Sequence, residues 1–145
     1  PLLQLTKEDW HQGLDLIITS VAEMLKLVIP IMQKQGGGSI VNISTFAAFE
    51  PNKNFPISSA LRAALGSYIK LVSDEYAKDK IRINNVLPGY VDSYPVDHET
   101  VEKIPMGRPG TVEEIAQSLA FLLSESASYM TGQNITIDGG ITRSI

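Results

Sequence analysis

The sequence predicts an α/β fold built on a parallel sheet. Short apolar runs rich in β-branched residues, at 39–45 and 81–87, are typical of strands that are covered on both faces. Between them, over about 57–78, apolar residues recur at helical spacing. We expect the two strands to run parallel through a right-handed connection, because a short hairpin could not contain a helix of this length.

Ligands of an open parallel sheet bind in the crevice beyond the carboxyl ends of its strands. In this chain those ends lie at 44–45 and 88–89. The segment 46–56 contains prolines and asparagines and is predicted to be a loop beside the crevice. The segment 90–106 shows no sustained periodicity, and a loop of that length is typical of a lid or binding element. The sequence therefore predicts functional residues at this edge of the sheet.

The remaining elements follow from capping and periodicity. A capped helix is predicted over 6–34, with a bend at Pro30. Three glycines at 36–38 precede a strand rather than a helix, so they predict a turn and not a phosphate cradle. A Thr-x-x-Glu capping box predicts another helix over 111–124, and alternating residues over 134–138 predict a final strand.

Composition narrows the classes of function. The 145 residues fit a single domain, with a formal net charge of -4 and a pI of about 5.1. No block of Lys or Arg is present, which argues against a nucleic-acid or anionic-membrane surface. The absence of Cys excludes disulfides and thiolate metal sites, and His11 and His98 lack metal-ligand spacing, so no metal is predicted. Small-molecule substrates remain the expected partners.

The most apolar segment, 14–32, contains Asp15, Glu23 and Lys26, which a bilayer would penalise. It is predicted to be a core or interface helix of a cytoplasmic protein. The sequence shows no signal peptide and begins with Pro1 rather than Met, so we expect that the residues preceding it are missing or were removed.

Small residues in the long helix predict an interface between copies of the chain. They lie off the helix's apolar stripe and would permit the close approach of a partner helix: Ala60, Ala63, Ala64 and Gly66. We therefore expect a homo-oligomer, either a dimer or a tetramer.

Four ordered segments resemble the short-chain dehydrogenases/reductases. They are Gly-Gly-Gly-Ser-Ile-Val-Asn-Ile-Ser-Thr at 36–45, Ile-Arg-Ile-Asn-Asn-Val-Leu-Pro-Gly at 81–89, Met-Gly-Arg-Pro-Gly at 106–110, and the segment 129–140. The resemblance covers the whole chain and implies the C-terminal part of a doubly wound, Rossmann-like parallel-sheet domain that binds NAD or NADP. The family's N-terminal half, which carries the Gly-rich dinucleotide fingerprint, is not contained in 1–145.

The resemblance also implies four catalytic positions, and this chain departs from the family at each. The family uses a Tyr as general acid/base and a Lys four residues later, where this chain has Ser58 and Arg62. The family's Ser and Asn positions are occupied by Thr45 and Ile17. Thr keeps the hydroxyl, whereas the pKa of an aliphatic alcohol lies far above the roughly 10 of a phenol. Arg keeps the charge, and its planar fork suits a phosphate or carboxylate.

Other residues of the strand ends are assigned by the same resemblance. The segment that contacts the nicotinamide carboxamide in the family corresponds to Pro88, Gly89, Val91 and Ser93, with Ser93 where Thr is usual. Tyr90 and Tyr94 are possible replacements for the missing phenol, but packing residues of a loop are the favoured interpretation.

Two interpretations of the site remain open. Thr45, Ser58 and Arg62 are candidate catalytic residues of an NAD(P)-dependent oxidoreductase of a small carbonyl or alcohol substrate, or they form only a capped helix start with an exposed Arg. In the second case the protein is a non-catalytic member that keeps the fold for binding or for oligomer assembly. Dehalogenation, a third possibility, fits an Arg at position 62 but requires the family's Tyr.

Overall fold

The structure, a computed structural model, describes residues 2–143. Its three strands are β1 (Gly38–Ile43), β2 (Ile81–Pro88) and β3 (Asn134–Ile137). They form one sheet in the order β1-β2-β3, and both pairs are parallel. The prediction of two parallel strands joined by a helix is confirmed, and so is the final strand.

The helices lie close to the predicted ranges. They are α1 (Lys7–Leu14), α2 (Ser20–Gln35), α3 (Pro56–Tyr76), α4 (His98–Glu102) and α5 (Val112–Leu123). Short 3-10 turns occupy Leu2–Gln4, Phe46–Ala48, Ala77–Asp79 and Glu125–Ala127. The first predicted helix is divided by a π-helical turn at Asp15–Thr19, while α2 continues through Pro30 to Gln35.

Helix α4 lies in the segment predicted to be loop throughout. Asp97 caps it by accepting a hydrogen bond from the backbone N of Thr100 at 2.9 Å. A five-residue helix is too short to display helical periodicity, so only this cap could have indicated it.

The sheet is covered on both faces, as predicted. On one face, α2 and α3 bury the larger core cluster: Ile17, Leu25, Ile29, Leu65, Ile69, Val72, Ile81 and Ile83. On the other face, α5 packs through Leu122 against Val86, with Val41, Ile135 and Ile137 around them. Successive residues of a strand face opposite sides, so β2 contributes to both clusters.

The predicted small-residue surface is only partly exposed. Ala60, Ala63 and Ala64 face solvent. Gly66 instead faces β3, where an added Cβ would lie 3.3 Å from the Asn134 side-chain amide. The prediction of an intermolecular contact at Gly66 is therefore wrong, because this glycine provides close approach between α3 and the sheet of its own chain.

A row of asparagine side chains crosses the sheet beneath α3. Asn42 Nδ2 donates to Asn85 Oδ1 at 2.7 Å, and Asn85 Nδ2 donates to Asn134 Oδ1 at 2.7 Å. The three residues are register partners in the parallel pairing. Asn85 is buried, so these hydrogen bonds satisfy a polar group that would otherwise be costly to remove from water.

Arg82 connects the sheet to the end of α5. Its Nη1 donates to the carbonyl of Leu122 at 2.8 Å and its Nη2 to the carbonyl of Ser124 at 2.9 Å. A cation at a helix C-terminus is favourable because the last carbonyls lack partners within the helix. At the other end of α5, Asp92 Oδ1 accepts a hydrogen bond from the backbone N of Val112 at 3.1 Å.

The capping box of α5 includes an ion pair. Thr111 Oγ1 accepts from the backbone N of Glu114 at 3.1 Å, and Glu114 Oε2 accepts from the backbone N of Thr111 at 2.8 Å, as predicted. The Arg108 guanidinium binds both carboxylate oxygens of Glu114, at 2.7 and 2.9 Å. The hydrogen bonds from Arg108 and Thr111 lower the pKa of Glu114 to about 2.

This shift predicts a pH-dependent contribution of Glu114 to stability. Because the pKa is lower in the folded chain than in the unfolded one, the contribution is present above about pH 4.5 and is lost as the pH falls toward about 2. In Glu114→Gln, the free energy of unfolding should therefore fall less between pH 5 and about pH 2 than it does in the wild type. Urea titrations followed by circular dichroism at several pH values measure the difference. The prediction would be contradicted if the free energy of unfolding fell by the same amount between pH 5 and about pH 2 in both proteins.

Within residues 2–143, none of the helices combines the length and the apolar character that crossing a bilayer requires.

Candidate active site at the carboxyl ends of the strands

A cavity of about 640 Å3 lies at the carboxyl ends of β1 and β2. Its walls come from the ends of both strands, the segment after β1, the start of α3 and one side of α5. All seven site residues predicted from the sequence contribute to its lining: Thr45, Ser58, Arg62, Pro88, Gly89, Val91 and Ser93. The crossover connection thus brings these residues together on one side of the sheet.

Thr45 is held at the cavity by the end of β1. The preceding residue, Ser44, donates its backbone N–H to the Val86 carbonyl at 2.7 Å and extends the pairing with β2. Thr45 is extended, and its Oγ1 accepts a hydrogen bond from the backbone N of Ala47 at 3.4 Å. Since that contact uses the oxygen as an acceptor, the hydroxyl proton remains available to a ligand.

Ser58 and Arg62 lie one turn apart at the start of α3. Pro56 occupies the first turn of this helix, where a missing backbone N–H carries little cost. Arg62 Nε donates to Ser58 Oγ at 3.2 Å, and both residues are half-buried. Burial lowers the pKa of the Arg62 guanidinium, which nevertheless stays protonated near neutral pH.

Arg62 is the only charged residue in the described lining of the cavity. The other described lining residues are apolar, aromatic, hydroxyl-bearing or, at Asn52, amide-bearing. Among residues 2–143, no Asp or Glu forms an ion pair with Arg62. The cavity therefore carries one fixed positive charge in a largely apolar setting.

The segment after β2 runs close to β3. Gly89 N donates to the Ile137 carbonyl at 3.0 Å, and a Cβ on Gly89 would lie 2.7 Å from the Cα of Asp138. Gly is therefore required for steric reasons at this crossing. Beyond it, Val91 forms an isolated parallel bridge with Gly110, and Asp92 N donates to the Gly110 carbonyl at 2.9 Å. These contacts fix the direction of the chain toward the exposed Ser93.

Aromatic side chains form another wall. The rings of Phe46 and Tyr90 lie 5.6 Å apart at 52°, and Phe55 and Tyr94 complete the wall. Tyr90 is half-buried against Phe46, while Tyr94 is 72% exposed. Both reach the cavity lining.

Sequence reasoning missed the wall formed by α5. Val112, Ile115 and Leu119 line the cavity opposite the start of α3. Their helical spacing indicates an apolar face, but which face meets the cavity depends on the topology. Ile17, at the family's Asn position, lies in the core between α2 and α3 and outside this lining.

No group of three or more His, Cys, Asp or Glu side chains within the described part of the chain could hold a metal ion. The chemistry available in the cavity comes from hydroxyl groups, one guanidinium and backbone amides.

Comparisons with known proteins match nearly the whole chain. The family profile described as enoyl-(acyl carrier protein) reductase matches residues 1–142. The chain is 36% identical to 3-oxoacyl-(acyl-carrier-protein) reductase FabG of Thermotoga maritima, over 97% of this chain and 60% of the relative. It is 33% identical to dehydrogenase/reductase SDR family member 4 of Homo sapiens, over 96% of this chain and 53% of the relative. The chain thus spans little more than half the length of these relatives.

Solved structures are similar in fold. L-sorbose reductase from Gluconobacter frateurii, complexed with NADPH and L-sorbose, matches with a TM-score of 0.93 and 25% identity, over 100% of this chain and 62% of that one. A short-chain oxidoreductase from Pseudomonas aeruginosa PAO1, described as containing an atypical catalytic center, matches with a TM-score of 0.89 and 25% identity, over 99% and 62%. With its parallel sheet, its strand-end cavity and the match of the family profile to residues 1–142, the chain belongs to the short-chain dehydrogenase/reductase family.

Proposed function

We propose that residues 1–145 are a single domain forming the C-terminal portion of an NAD(P)-dependent oxidoreductase with a divergent active site. Its substrate is a small carbonyl or alcohol compound. The observation that carries this proposal is the convergence of Thr45, Ser58 and Arg62 with the segment 88–93 on one cavity. The reductases among its relatives give independent support.

The segment 88–93 suits the nicotinamide end of a dinucleotide. Gly110 bonds to the Tyr90 carbonyl and the Asp92 amide, which leaves the Val91 amide directed away from that bridge and available to a carboxamide. In this proposal Pro88, Gly89, Val91 and Ser93 contact the nicotinamide. The bound cofactor would supply or accept the hydride. The dinucleotide fingerprint belongs to the family's N-terminal half, and NAD and NADP are not distinguished.

In this proposal Thr45, Ser58 and Arg62 have separate roles in binding the ligands. The Thr45 hydroxyl donates to the substrate oxygen, where negative charge develops as hydride reaches the carbon, and a solvent proton completes the alcohol. Ser58 accepts from Arg62 and orients the guanidinium, which binds the ribose or an anionic group. A phenol is missing at position 58, so the site lacks the strong acid/base element of the family and should turn over slowly.

A homo-oligomer, dimer or tetramer, accompanies this proposal. Apolar side chains exposed on the outer sides of α2 and α3 support it: Met24, Leu27, Ile31 and Leu71. Burial of such side chains between copies would be favourable. A cytoplasmic location remains a prediction from the sequence.

The second candidate function is a non-catalytic member of the family that binds a ligand or assembles with its own copies. It is favoured by one observation, the Ser58 hydroxyl in place of a phenol. The hydrogen bond between Ser58 and Arg62 is also compatible with a purely structural helix start.

The experiment compares the full-length protein with Thr45→Val. We expect NAD(P)H oxidation with a panel of small aldehydes, ketones and keto acids, and about 10- to 100-fold lower kcat/KM in the variant, because Val keeps the shape but removes the donor. Thr19→Val, which removes an exposed hydroxyl remote from the cavity, is the matched control.

Two outcomes decide between the candidates. If the full-length protein neither quenches NAD(P)H fluorescence nor oxidises the cofactor with any panel member, the oxidoreductase proposal fails. Turnover that disappears in Thr45→Ala or Arg62→Ala excludes the non-catalytic candidate.

A further inference from the structure

The charge of Arg62 is not balanced within the described chain. The guanidinium is half-buried, has no acidic ion-pair partner among residues 2–143, and is the single charged group in the described lining. Removing a cation from water without a partner is unfavourable, and the lowered pKa of Arg62 reflects that cost. An anion entering the cavity would relieve it.

The donors of Arg62 are only partly used. Nε is directed to Ser58 Oγ, which fixes the plane and direction of the guanidinium. The N–H groups on Nη1 and Nη2 of Arg62 make no hydrogen bond to any of the described residues. A guanidinium whose paired Nη groups are free and whose orientation is set is well suited to bind both oxygens of a planar carboxylate.

The apolar lining around Arg62 favours a ligand whose remaining part is apolar. Aromatic rings of Phe46, Phe55 and Tyr90 and the α5 side chains of Ile115 and Leu119 line the same cavity. A volume of about 640 Å3 accommodates a small organic molecule, and apolar walls favour an apolar body attached to the charged group.

We propose that this cavity binds small organic acids, with the carboxylate on the Nη groups of Arg62 and the apolar body against the aromatic wall. The inference deepens the proposed function and rests on it for the reacting group: the substrate class becomes keto acids or hydroxy acids. Binding of the carboxylate itself needs no cofactor.

Charge matching favours a carboxylate over the other ligands of Arg. A carboxylate carries one negative charge and neutralises the single guanidinium. A phosphate monoester carries close to two charges at neutral pH and would leave one unpaired among apolar walls, which is costly. A ribose hydroxyl is neutral and would leave the cation uncompensated.

Isothermal titration of the full-length protein tests the proposal without cofactor. The probes are cyclohexanecarboxylate, 3-phenylpropionate and 2-oxo-4-phenylbutyrate, each beside its amide, which has the same shape and no charge. We expect at least one acid to bind at least tenfold more tightly than its amide. Arg62→Met should abolish this preference, and Arg62→Lys should retain part of it.

Controls separate the site from general charge effects. Lys70→Met removes a positive charge from the exposed side of α3 and should leave the preference unchanged. Equal binding of every acid and its amide, no binding of any acid, or a preference that persists in Arg62→Met overturns the inference. Tighter binding of inorganic phosphate or adenosine monophosphate than of the acids, lost in Arg62→Met, would assign Arg62 to a phosphate instead and also overturn it.

The readout is independent of the proposed reaction. Charge-dependent binding of the acids, without NAD(P)H oxidation by any member of the carbonyl panel, would support the anion site and reject the oxidoreductase. NAD(P)H oxidation with neutral carbonyl compounds alone, and no charge preference in binding, would support the oxidoreductase and reject the anion site.

Discussion

In the double variant Ser58→Tyr/Arg62→Lys, turnover of a carbonyl substrate with NAD(P)H should rise about 100- to 10,000-fold. The structure already holds positions 58 and 62 one turn apart on the cavity side of α3, with the side chains 3.2 Å from each other. A phenol there can donate a proton to the substrate oxygen, and an ammonium one turn away lowers the pKa of the phenol toward neutrality. Steady-state kinetics of the full-length protein measure the gain.

The single variants and a matched substitution complete this experiment. Ser58→Tyr alone should gain less, because Arg cannot exchange protons in this range and its fork is bulkier beside the new ring. Ser67→Tyr places the same side chain on an exposed part of α3 and should leave turnover unchanged. A double variant with a normal circular dichroism spectrum and a change below about threefold would show that the missing phenol is not what limits this site.

Asn85→Leu should destabilise the fold by about 1–3 kcal/mol. The substitution keeps the number of side-chain heavy atoms and the branching at Cγ but removes the central member of the asparagine row beneath α3. It leaves the Asn42 amide without its acceptor and the Asn134 carbonyl without its donor. Asn42 is half-buried and Asn134 is exposed, so water can replace part of what these two side chains lose. The cost comes from the lost hydrogen bonds and from the partly buried Asn42 amide. Urea denaturation followed by circular dichroism gives the free energy of unfolding.

The exposed Asn54 provides the comparison. Asn54→Leu makes the same chemical change outside the core and should alter stability by less than about 0.5 kcal/mol. In addition, Asn42→Leu/Asn85→Leu should cost less than the sum of its single variants, because each single change leaves an unpaired group that the other removes. An Asn85→Leu protein as stable as the wild type would show that water replaces the lost partners.

The elements of the fold could be predicted because local signals agree with one another. The capping boxes at 6–9 and 111–114 involve neighbours in sequence, and the strand at 81–88 is bounded by turns. The asparagine row could not be predicted from such signals. Asn85 within an apolar strand looks unfavourable until its partners on β1 and β3 are known, and those partners are set by register across the sheet.

Part of the candidate site could likewise be predicted from the sequence, and part of it could not. The position of Thr45 at a strand end, and of Arg62 by resemblance to the family motif, could be expected from the sequence, and both residues line the cavity. The wall formed by Ile115 and Leu119 could not, because an amphipathic helix has one apolar face and the pattern does not say what that face meets. The π-helical turn at Asp15–Thr19 also left no recognisable signal in the apolar spacing.

The hydrogen bonds from Arg82 hold the far end of α5 on the sheet, independently of the chain that leads into the helix. Insertions or deletions between 94 and 106 therefore need not displace the wall that Ile115 presents. Variation in length there would move Tyr94, the residue of this segment that lines the cavity, while the α5 wall keeps its position. The anchoring of α5 to the sheet thus separates the part of the cavity that can tolerate changes in length from the part that cannot.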